Sequence, residues 1–75
     1  MIKVMVELVA HLKDDKFTRK EVNLPLESTV RDLFKLLHFE NEKDFVVILN
    51  GKHANFESAL RDGDNLIFMP FVDGG

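Results

Sequence analysis

The chain has 75 residues, with thirteen acids against ten bases for a net charge of −3, and no cysteine. That length makes one domain with a small core, since a chain this short buries only about 60% of the surface its unfolded form exposes. The missing thiols exclude a disulfide framework, an iron–sulfur cluster and a zinc ribbon, and the scattered lysines and arginines lack the basic stripe of a nucleic-acid binder.

Residues 2–10 alternate, with Ile2, Val4, Val6, Leu8 and Ala10 on one face and Lys3, Met5, Glu7 and Val9 on the other. Period two with β-branched residues predicts a strand, and the charges within it exclude a signal peptide or a membrane span. Asp14 and Asp15 supply a turn, and "TRKEVNLP" predicts a second strand ended by Pro25, polar enough to suit a sheet edge. The period then changes. Val30, Leu33, Phe34 and Leu37 fall at i, i+3, i+4 and i+7, the stripe of an amphipathic helix, with Leu36 at its margin. Thr29 is the expected N-cap and Asp32 its capping-box partner, while Lys35 and His38 lie toward the negative end of the dipole.

Glu40, Glu42 and Asp44 read as a solvated loop. "FVVILNG" is an apolar run of strand length closed by an Asn50-Gly51 turn, which places His53 in a hairpin loop. Residues 52–64 show little periodicity beyond Phe56, Ala59 and Leu60 and read as a short irregular or 3₁₀ segment. Asp62-Gly63-Asp64 is a turn, and a last strand begins at Leu66 and ends near Met69.

The order is β-β-α-β-(short β)-β within a single domain over residues 1–75. It implies an α+β fold: a mixed sheet of four to five strands, the two most apolar (first and last) in the middle, with one main helix packed on one face. That order matches the β-grasp, or ubiquitin-like, architecture.

A strand covered by a helix on one side and water on the other should alternate, and the third and last strands do not. With Val47, Leu49, Leu66 and Phe68 inward, Ile48, Ile67 and Met69 point away, beside Met5 and Val9. Such an outward cluster marks a docking surface, worth about 1.5–3 kcal/mol per side chain on full burial; burial by loops or by a dimer partner is the other way to cover it. Pro70 lacks an N–H, so the ladder should stop there and release a flexible tail over residues 71–75: Phe71, Val72, Asp73, Gly74 and Gly75. The α-carboxylate of Gly75 is an anion at neutral pH, and two residues without Cβ can pass a narrow channel into a partner's active site.

Residues 46–75, "VVILNGKHANFESALRDGDNLIFMPFVDGG", resemble the carboxyl half of ubiquitin-like sulfur carriers, a family that includes the small subunit of molybdopterin synthase and the thiamine-biosynthesis sulfur carrier. The shared features are the Asn50-Gly51 turn, Leu60 before Asp62-Gly63-Asp64, an apolar strand, Pro70, Val72 and Gly74-Gly75. The resemblance implies a protein co-substrate rather than an enzyme. An E1-like adenylating enzyme would activate the Gly75 carboxylate with ATP, a sulfur donor would convert it to a thiocarboxylate, and a synthase large subunit or other acceptor would take the sulfur. Gly74 would serve the approach, Phe71, Val72 and Asp73 the threaded tail, and Ile48, Ile67 and Met69 the docking face. Pro70 leans toward the molybdopterin branch, whereas Phe71 stands where that branch often has a second proline. Tungsten-pterin, thiamine and tRNA-thiolation pathways therefore stay open, as does a protein modifier that joins Gly75 to a lysine amine, or a β-grasp module that merely docks. Asp73 asks for a basic channel in the activating enzyme.

No cofactor or metal is expected on the chain itself. His11, His38 and His53 are far apart in sequence with no supporting cysteine, no hydroxyl has an evident base and orienter, and no phosphate-cradling loop occurs. The expectation is a cytoplasmic protein, monomeric when free, that engages neither nucleic acid nor membrane.

Overall fold

The computed structural model describes residues 1–8 and 19–70. In chain order these hold β1 (Ile2–Leu8), β2 (Arg19–Leu24), α1 (Val30–Leu36), a 3₁₀ turn (Glu42–Asp44), β3 (Phe45–Leu49), β4 (Lys52–Ala54) and β5 (Asn65–Pro70). The five strands form one sheet in the order β2-β1-β5-β3-β4, with β1 and β5 parallel and every other pair antiparallel. This is the β-grasp arrangement. The polar β2 stands at an edge, where charged side chains deter pairing with another chain, and the apolar β1 and β5 lie inside. Val9, Ala10 and the Asp14-Asp15 turn lie outside the described residues.

Alternation along β1 buries Ile2, Val4, Val6 and Leu8 on the face that α1 covers. Val30, Leu33 and Phe34 of α1 are buried against them, and Leu36, off the stripe, is 51% exposed. Thr29 caps the helix as the capping box predicts. The Asp32 N–H donates to Thr29 Oγ1 at 3.3 Å, and the Thr29 N–H donates to Asp32 Oδ2 at 2.9 Å. Two further N–H groups of the first turn find partners far along the chain: Val30 donates to the Ser58 carbonyl (3.0 Å) and Arg31 to the Phe56 carbonyl (2.9 Å). Residues 55–60 are thus an ordered brace for the helix start, built of turns and a bridge between Thr29 and Ala59, not a 3₁₀ segment. The 3₁₀ turn lies instead before β3.

The core is closed by phenylalanines. The Phe34 ring lies 4.9–5.7 Å, centroid to centroid, from those of Phe39, Phe45, Phe56 and Phe68. These spacings and mostly tilted or edge-on angles are those that aromatic quadrupoles favour.

Two expectations need correction. His53 is not in the hairpin loop but in β4, paired with Ile48, because Asn50 (φ 52°) and Gly51 (φ 85°) complete a two-residue turn and let pairing resume at Lys52. Nor are all of Glu40, Glu42 and Asp44 simply solvated. Glu42 is half-buried and takes a two-pronged ion pair from Arg31 of α1, Nε to Oε2 at 2.6 Å and Nη2 to Oε1 at 3.0 Å. The guanidinium holds the Glu42 carboxyl below its ordinary value, chiefly through that hydrogen bond, and is itself raised in return.

Candidate functional site

The residue types that resemble a family motif turn out to set register. Asn50 locks the β3–β4 turn onto the start of β5: its side-chain amide donates to Asp64 Oδ1 (2.9 Å), its Oδ1 accepts the Asn65 N–H (2.9 Å), and its own N–H donates to the Asn65 carbonyl (2.8 Å). Asp62 and Gly63 bind the opposite neighbour. Asp62 Oδ1 accepts the Lys3 N–H at 2.8 Å and Gly63 N–H donates to the Lys3 carbonyl at 2.7 Å. Gly63 sits at φ 89°, where a side chain is strained although a Cβ would meet nothing within 4 Å. Asp64 completes the knot by accepting the Met5 N–H on its carbonyl (2.9 Å) and the Arg61 N–H on Oδ2 (2.8 Å). Leu60 is buried beneath. β5 is therefore held between β1 and β3 from its first residue.

That register composes the outward face of the sheet. Ile48 of β3 stands directly across from Ile67 of β5, and Val46 directly across from Met69. Opposed side chains in an antiparallel pair have Cβ atoms about 4.5–5.5 Å apart, so the four make one continuous apolar surface. Met69 is 37% exposed, and Val46, Ile48, Ile67 and Met5 are half-buried. Ile48, Ile67 and Met69 thus come together as their alternation predicts. Val46 was missed, although the same period-two count from Ile48 finds it.

The face is not apolar throughout. On its β1–β2 side Glu7 is in register with Arg19 and also, across β5, with Ile67; the Lys3 ammonium lies 4.0 Å from Glu21. His53, exposed, flanks Ile48 on the other side. A partner would meet an apolar strip along β3 and β5 with a charged margin of both signs. Among the described residues, Pro70 is in register with Phe45 on the β3 side of β5, and the pairs with β1 run from Asn65 to Phe68. Phe71, Val72, Asp73, Gly74 and Gly75 lie outside the described residues, as does His11.

The three hydroxyl side chains within the described residues are all occupied by local structure. Thr29 caps α1, Ser28 Oγ donates to the Pro25 carbonyl (2.8 Å), and Ser58 Oγ accepts the Asn55 N–H (3.3 Å). Among the described residues no group of three His, Asp or Glu side chains could hold a metal ion, and no helix is long and apolar enough to cross a membrane. What the described residues present is an apolar strip on β3 and β5, the last strand before Gly75.

The sequence model of the ThiS family matches residues 6–75. No curated protein matches the chain. Several solved structures share the fold. A molybdopterin converting factor subunit 1 from Pyrococcus furiosus, so described as putative, aligns with a TM-score of 0.80 at 24% identity, covering 96% of this chain and 100% of that one. Small archaeal modifier protein 1 of Haloferax volcanii aligns with a TM-score of 0.81 at 22% identity, again over 96% and 100%. A third similar structure comes from a complex of subunits 1 and 2 of the molybdopterin-converting factor of Helicobacter pylori, with a TM-score of 0.70, 20% identity, and coverage of 99% and 100%.

Proposed function

The chain belongs to the ThiS family, and on that premise we propose that it is a sulfur carrier whose chemistry resides in the α-carboxylate of Gly75. An E1-like enzyme joins that carboxylate to the α-phosphate of ATP, releasing pyrophosphate; sulfide-level sulfur delivered by a donor displaces AMP and leaves a thiocarboxylate. An acceptor then takes the sulfur, and water restores the carboxylate. The ATP site and the catalytic groups belong to the partner, so this chain is a co-substrate. The observation that carries the reading is the apolar strip of Val46, Ile48, Ile67 and Met69 at the end of β5 that leads to the terminal glycines. Five extended residues span at most about 17 Å. Residues 71–75, with Gly74 in the narrowest part and Asp73 against a basic wall, can therefore enter a site that deep while the strip holds the domain at its mouth.

Molybdopterin or tungsten-pterin synthesis is the pathway favoured by Pro70 and by the likeness to molybdopterin converting factor subunits, one of them solved with its subunit 2. A synthase large subunit would then be the acceptor, with thiamine synthesis or tRNA thiolation as the other destinations. A second reading follows from the likeness to a small archaeal modifier protein: the same adenylate resolved by a lysine amine into an isopeptide bond. Intact mass spectrometry of the protein from its own host separates them. Replacement of one terminal oxygen by sulfur supports the carrier, and larger conjugates through Gly75 support the modifier. Deletion of Gly75 is expected to abolish either function in the host. Full function without it would refute both.

A further inference from the structure

The turn between β2 and α1 builds an open trough with no part in the reading above. It is lined by residues 23–28 and by Asp32 and Leu36 of α1, and its volume of about 490 Å³ lies within the range of about 300–1,000 Å³ of pockets that take ligands. Leu26 is 70% exposed and Leu36 51% exposed, so two large apolar side chains stand at its walls with most of their surface in water. Both charged residues of the lining are acids, Glu27 and Asp32, and no base lines it. Arg31, the base next to Asp32 in the helix, is committed to Glu42.

The backbone fixes where Glu27 stands. The turn is closed by the Ser28 N–H donating to the Pro25 carbonyl, and its third residue, Glu27, sits at φ 68°. Glycine or asparagine suits such a position, and glutamate is strained there. The turn itself requires a positive φ at this residue. Here the strained residue brings a carboxylate to the rim of an apolar trough.

We propose that this trough is a second docking surface, for a partner segment that presents an apolar side chain flanked by lysine or arginine. Its open shape suits a chain segment rather than an enclosed small molecule. A second copy of this protein is disfavoured by charge, since the chain carries a net −3. The protein's own end is disfavoured likewise, for it brings Asp73 and a terminal carboxylate. The trough opens on the side of the sheet that α1 covers, whereas Ile48, Ile67 and Met69 face away from it. Both surfaces can therefore be engaged at once, and the proposal does not rest on the chemistry at Gly75.

The test is a titration of the ¹⁵N-labelled full chain with the capped peptide KLKLK, with capped ELELE as the control. Saturable amide shifts are expected at Asn23, Leu24, Leu26, Glu27 and Ser28, at Asp32 and at Leu36, weakened by salt and absent with ELELE. Glu27→Gly removes the carboxylate and relieves the backbone together. It should weaken KLKLK binding about threefold or more, the scale of one exposed charge pair, while the thermal midpoint holds or rises. No saturable shift with KLKLK, an equal response to ELELE, shifts confined to the face of Ile48 and Ile67, or undiminished affinity in Glu27→Gly would each overturn the proposal. Any of these would leave the sulfur-carrier reading standing, since mass spectrometry at Gly75 tests that separately.

Discussion

Ile67 is the residue at which docking and folding separate most cleanly. It is half-buried in the middle of the outward face, with Ile48 across from it on β3 and Glu7 in register on β1. Complete burial of an isoleucine side chain contributes about 1.5–3 kcal/mol. Half of that, about 1 kcal/mol, is realised in the free domain, and a similar amount remains for a partner to collect. Ile67→Ala should therefore lower the thermal midpoint by about 4–8 °C and weaken docking about fivefold. Ile67→Lys should divide the two effects more sharply. In the free protein the new ammonium reaches water at the open face and has Glu7 beside it, so the domain stays folded. Under a partner the same charge is buried without compensation, which costs about 3 kcal/mol or more and weakens docking about a hundredfold. The assay is ATP–pyrophosphate exchange by the host's activating enzyme as a function of carrier concentration, with urea unfolding alongside. A folded Ile67→Lys protein that half-saturates the enzyme at the wild-type concentration would refute the docking role of this face.

Gly63→Ala should destabilise the domain by about 1–2 kcal/mol, because Gly63 lies at φ 89° and its bond to Lys3 holds it there; space is not the constraint, so a lowered urea midpoint with an unchanged slope is expected. The ion pair of Glu42 and Arg31 should give acid sensitivity. The folded Glu42 carboxyl titrates below its unfolded value, so its contribution is complete above the unfolded value and disappears as pH falls through the folded one. The stability difference between wild type and Glu42→Gln, followed by urea melts at successive pH values, should shrink toward acid pH. A difference that stays constant would show that the fork contributes nothing through charge. Phe34→Ala removes the ring around which the other phenylalanines pack and should cost about 3–5 kcal/mol, enough to leave much of so small a domain unfolded at 37 °C by far-UV circular dichroism.

Most of the elements, and the faces of β1 and α1, are legible in the local pattern of residues. Period two made β1 and named its inward residues, period 3.6 made α1, Thr29 and Asp32 marked its start, and Asn50-Gly51 turned β3 into β4. Each of these signals is local: the residues that carry it lie within a turn or two of one another, so neighbouring side chains and backbone angles settle the outcome. The absence of alternation in β3 and β5 was enough to place Ile48, Ile67 and Met69 on an outward face.

Register is set by long-range contacts. Nothing in the one-dimensional pattern sets Ile48 across from Ile67, or Glu7 beside it; the hydrogen bonds of Asn50, Asp62, Gly63 and Asp64 do so, between segments as much as 59 residues apart. The carbonyls of Phe56 and Ser58 reach the start of α1, and Arg31 finds Glu42, for the same reason. Long-range partners of this kind follow from how the layers close around the core, and a polar residue shows no periodicity by which its distant partner can be read. The shape of the docking strip beside Pro70, and the trough on the other side of the sheet, are consequences of that closure.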